Sequence, residues 1–233
     1  MRKDRRQWLS PYAAVAIAPP PAVLRLPVPV PEPLRAPAGF TEYRALLHAT
    51  FDREKRRLAE AASADPALLL VCRRWRPGEP AHNRRLLEAA FERLSAMMGG
   101  IYRFRPASLG HDPAMRGHFG RYDYSGVVLV SACLLNEPVG EVVDTLIHEQ
   151  IHRLQHAMTE ALAVPGRRAL SPAEVCLARY WEREEPLAQT FYTRALGPED
   201  VEAYRRLGKE YHAFDTAEDV TAHVMASLAD EAI

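Results

Sequence analysis

Cysteine is scarce. Cys72, Cys133 and Cys176 are odd in number and far apart, which excludes a disulfide framework and a C-x-x-C metal knuckle. Each lies in an apolar run, where cysteine serves as a small core residue, and this usage suits a reducing compartment. Long apolar runs are missing too, and none approaches the length of a membrane span. The opening MRKDRR and WLSPYAAVAIA imitate a secretory signal. Their apolar part is short, poor in leucine and interrupted by Pro11, so the expectation is a cytoplasmic protein. An excess of one charge is also lacking. Thirty Lys and Arg balance thirty Asp and Glu, which removes any global bias toward nucleic acid or an anionic membrane. There is no glycine-rich phosphate loop and no internal repeat.

Proline is unevenly placed. Residues 1–39 hold a basic start and then PPPAVLRLPVPVPEPLRAP, a density that forbids helix and weakens sheet. This segment reads as an extended arm. Residues 40–233 read as one domain, and their length is ample for a core.

Within that domain one stretch carries chemistry. Val142 to His156 reads VVDTLIHEQIHRLQH and contains His148, Glu149 and His152 in the pattern H-E-x-x-H. On a helix, residues i and i+4 share a face, so both imidazoles can meet one metal ion, with Glu149 beside them to hold a water. Asn136 as N-cap, Pro138 in the first turn, and Glu137 and Glu141 near the positive end predict where this helix starts. Val142, Val143, Leu146, Ile147, Ile151, Leu154 and Met158 form a broad apolar stripe. His148, Glu149, His152 and His156 fall on the other side, as a cleft wall would require.

These residues resemble the zincin metallopeptidases. The resemblance implies that His148 and His152 bind zinc and that Glu149 is the general base. The longer metzincin pattern is absent, because Gln155 replaces its glycine and Met158 stands at its third histidine. His156 lies about 6 Å further along the helix, too far to join the pair. Peptide deformylase shares H-E-x-x-H but needs a cysteine in a specific upstream motif, which Cys133 lacks.

Catalytic zinc takes three protein ligands and keeps one position open. In the gluzincin branch a glutamate from a following helix is the third. Ser171-Pro-Ala-Glu174 is a capping box that starts such a helix. Along it, Glu185, Ala188 and Gln189 fit the branch pattern, making Glu185 the expected ligand and Gln189 its support. Glu182 and Glu184 compete for the role. Tyr192, Tyr211, His212 and His223 are the candidate oxyanion donors.

The remaining elements are expected in the order helix 41–62, strand 68–75, helix 81–98, strand 101–104, loop 106–121 and strand 127–131. Gly99-Gly100 is expected to close the second helix. After the metal helix, helices at 199–211 and from Thr216 to Ala229 should follow. The expected class is α+β and zincin-like, with a small mixed sheet on the active-site helix and a mainly helical C-terminal part. In the family an edge strand receives peptide substrate; Val127 to Ser131 is the candidate edge, with a buried core strand as the equal alternative. The expected function is zinc-dependent hydrolysis of a peptide bond in a peptide or protein substrate. Two alternatives stand beside it: a non-haem iron enzyme such as a protein hydroxylase, since two histidines and a carboxylate also suit iron, and a silent binding module.

Overall fold

Helix α1, Phe40–Ser63, turns Tyr43, Leu47, Phe51, Leu58 and Ala62 inward at helical spacing, and all are buried. The computed structural model describes residues 38–115, 118–164, 168–192 and 203–230, with the backbone alone at 189–192. The proline-rich arm up to residue 37 lies outside the described residues. Over the described residues the chain is mixed α and β, mostly helical, with one small sheet.

The stretch expected as a strand at 68–75 is instead helix α2, Pro66–Arg74. Its start signal outweighs its apolar composition. Asp65 accepts the Leu68 N–H at 2.7 Å, and Pro66 occupies the first turn. Helix α3, Pro80–Tyr102, runs through the two glycines expected to end it. Gly99 is there for space, because a Cβ would lie 2.7 Å from Pro106 Cγ. Arg103, with φ +56°, ends the helix in the left-handed region, so residues 101–104 form no strand.

The sheet has strands β1 (Ser108–Asp112), β2 (Gly120–Asp123) and β3 (Val127–Ser131), in the order β1-β3-β2. β3 pairs parallel with β1 and antiparallel with β2. This corrects the expected edge: Val127–Ser131 is the central strand, and its Val128 and Val130 are fully buried. β1 and the start of β2 fall in the expected loop, where Gly, His and Asp carry little strand propensity.

A 3-10 turn, Ala132–Asn136, leads to helix α4, Val139–Ala163, which carries the motif. Its N-cap position is Pro138, and Asn136 belongs to the preceding turn. Helix α5, Pro172–Tyr192, opens on the expected capping box: Ser171 Oγ accepts from Glu174 N–H at 3.3 Å, and Ser171 N–H donates to Glu174 Oε2 at 2.8 Å. Helix α6, Gly208–Asp230, is unbroken where a boundary before Thr216 was expected, and Thr216 is buried within it. α6 packs along both α1 and α4, and α5 lies against α4. Leu87, Leu94, Ile147, Ile151, Trp181 and Val220 are among the residues of the shared core. Cys72 and Cys176 are buried as expected, while Cys133 is exposed on the 3-10 turn.

Candidate metal centre

The apolar stripe of α4 is buried as its periodicity requires, and this fixes the roll of the helix. His148 and His152, one turn apart, then point the same way. Their Nε2 atoms are 3.0 Å from each other. The third member comes from the first turn of α6. Glu210 Oε2 lies 3.3 Å from His148 Nε2 and 3.5 Å from His152 Nε2. Glu210 is 0% exposed.

Buried carboxylates are costly unless paired. Burial pushes the Glu210 carboxyl up, but His152 and His148 beside it outweigh this and hold it well below the usual range. Burial likewise opposes charge on His152, and Glu210 overrides it, raising the imidazole to about 9. A divalent cation meets the same electrostatic demand. A tetrahedral zinc with bonds of about 2.0–2.1 Å would separate its donor atoms by about 3.3–3.4 Å. The observed 3.0, 3.3 and 3.5 Å bracket that value. Two imidazoles and one carboxylate suit zinc or iron far better than magnesium or calcium, which prefer oxygen. The group can therefore hold a metal ion.

Glu149 is 7% exposed and faces the sheet. A Cβ on Gly120, at the start of β2, would lie 3.0 Å from Glu149 Cγ and 3.3 Å from its Oε1. The glycine thus lets the edge strand approach the carboxylate closely. Phe214, one turn after Glu210, packs its ring 4.6 Å from that of His148, centroid to centroid. His156 stands apart from the group, with Nδ1 2.9 Å from the Tyr122 hydroxyl.

The structure does not bring Glu185 to the histidines. Its carboxylate pairs with Lys209 and accepts from the Tyr124 hydroxyl at 3.2 Å. Glu184 Oε2 accepts the Gly208 N–H at 2.6 Å. Glu182 is exposed. Helix α5 therefore supplies clamps for residues 208–209 of α6, directly before Glu210. Gly208 allows this docking, since a Cβ there would lie 2.7 Å from Tyr180 Cε1 and 2.8 Å from Glu184 Oε2.

The side chains of Gln189 and Tyr192 lie outside the described residues. His212 is buried between Phe51 and Trp181, stacked at centroid distances of 5.0 and 5.7 Å. Burial holds it neutral, lowered to about 3. Its site is a core slot and gives no opening for an oxyanion. Tyr211 meets His48 and Arg44 near the surface, and His223 is bonded to the Asp219 carbonyl.

Glu210 was missed in the sequence, although a signal exists. It shares a stripe with Ala213, Ala217, Val220 and Val224, all fully buried. A charged residue at a core position of an amphipathic helix demands a partner. Splitting the helix before Thr216 hid that stripe.

Compared with family models, with curated proteins and with solved structures, the chain matches none.

Proposed function

We propose that this protein is a zinc-dependent metallopeptidase of zincin-like architecture. The observation that carries the reading is the joint placement of four side chains. His148, His152 and Glu210 converge at ligand spacing, and Glu149 directly follows the first of them at the edge of the sheet. His148, His152 and Glu210 would hold the zinc. When bound, it supplies Lewis acidity, lowering the pKa of water toward neutrality and polarising a carbonyl.

The chain's own residues supply the rest. Glu149 accepts a proton from the attacking water and returns it to the leaving amine. β2 is bonded to β3 on one side, and no described strand covers the other. An extended peptide added along that edge would run past Gly120 and so past Glu149. This favours a peptide or protein substrate. It also moves the docking edge from the expected Val127–Ser131 to Gly120–Asp123.

The test is Glu149→Gln in a peptide-library assay. Zinc content should stay at the wild-type level, while turnover falls by about 10²–10⁴-fold. Undiminished turnover in this variant would remove the peptidase reading. Iron in the purified protein, with a demand for oxygen and reductant, would favour the hydroxylase instead.

A further inference from the structure

Gln155 is the next residue of α4 on the His152 side, and it is 1% exposed. Its amide orientation follows from its partners. One end lies 2.9 Å from the Lys209 carbonyl oxygen. A carbonyl oxygen only accepts, so that end is the Nε2 donor. The same Nε2 is 3.3 Å from Nδ1 of His212, which takes its second hydrogen. The opposite end is therefore Oε1, and it lies 2.9 Å from Nδ1 of His152. An amide oxygen also only accepts, so His152 Nδ1 carries the hydrogen. Once the ring is neutral, its lone pair sits on Nε2, facing His148 and Glu210.

We propose that Gln155 is a positioning residue that fixes His152 in the Nδ1–H tautomer and ties it to the backbone segment bearing Glu210. This rests on the metal-site reading above. Lys209 immediately precedes Glu210, so one amide bridges the helix that supplies two donors and the turn that supplies the third. The orientation is set by a backbone carbonyl, which cannot titrate or rotate away independently. Ligand histidines are commonly oriented through their second nitrogen, and losing that partner typically weakens metal binding 10–100-fold. Here the orienting group comes from three residues along the same helix, and α5 secures its far end through Glu184 and Glu185.

The experiment compares zinc affinity of wild type and Gln155→Met by competition with a chromophoric chelator. It also records ¹⁵N-histidine spectra of the zinc-loaded wild type. The expected result is about 10–100-fold weaker zinc binding in the variant. The wild-type spectrum should show a slowly exchanging hydrogen on Nδ1 of His152. A purely structural role would lower the thermal midpoint but leave affinity within about twofold of wild type, and that result overturns the proposal. If Gln155→Met does not fold, Gln155→Asn, whose shorter amide cannot span both partners, decides by the same affinity criterion. A hydrogen on Nε2 of His152 in the wild type also overturns the proposal. A wild type that takes up no zinc sinks the metal reading and this inference together. Equal binding by wild type and variant sinks only the inference.

Discussion

Helix α4 presents two donors one turn apart on one face, with Glu149 between them, whereas α6 contributes a single glutamate with no partner motif of its own. The α4 donors are related by helical geometry alone. Any helix over residues 139–163 would place His148 above His152. Glu210 is related to them only through the docking of α6 on α4, α1 and α5. One half of the site is thus a local property and the other a tertiary one. The practical lesson concerns failure. Damage to α4 removes the donors themselves, while damage around α6 leaves them in place but separates them.

The largest expected effect breaks this comparison at the metal. About one zinc per chain should be measured by mass spectrometry in the wild type. His148→Ala and Glu210→Ala should both lose it, and Glu185→Ala should keep it, because Glu185 pairs with Lys209 and Tyr124 outside the donor group. Zinc retained by Glu210→Ala but lost from Glu185→Ala would exchange their roles.

The next effect concerns the metal-free protein. Burial alone would lower His152, yet the Glu210 carboxylate raises it to about 9 in the folded chain. The unfolded chain titrates near 6.5. This raised group contributes stability that is fully present below about pH 6.5 and lost as the pH rises through about 9. The contribution is on the order of 3 kcal/mol. Denaturant midpoints of chelator-treated wild type should fall across that window, and those of Glu210→Gln should not. A level wild-type profile would show that the two helices are not coupled through this pair.

The smallest effect sharpens the view of the sheet edge beside Glu149. Gly120→Ala would put its Cβ 2.7 Å from Thr145 Cγ2 and 3.0 Å from Glu149 Cγ. Overpacking of this kind costs about 1–3 kcal/mol. Hydrolysis should fall while zinc affinity stays near wild type, because the clash reaches Glu149 and not the donor atoms. An equal loss of both would place the edge strand against the metal ligands instead.

Legibility followed the range of the forces involved. The α4 stripe and the Ser171–Glu174 box were readable because each is a pattern along a single helix. The 68–75 stretch misled because an apolar run suits strand and buried helix alike, and Asp65-Pro66 was the deciding signal. The sheet order was not readable. Val127–Ser131 has strand composition, but its central position depends on pairing with Ser108–Asp112, whose own composition is weak.

By itself, the sequence determined that His148, Glu149 and His152 share a helix and that this helix buries its opposite side. Both follow from a repeat of 3.6 residues per turn and from the removal of apolar surface from water. Only the tertiary structure decided that the carboxylate joining the two histidines is Glu210 and not Glu185, and that the strand beside Glu149 is β2. Those choices depend on which helix and which strand pack against α4. Such contacts join residues about thirty positions apart for Gly120 and Glu149 and about sixty for the histidines and Glu210, and no local pattern encodes them.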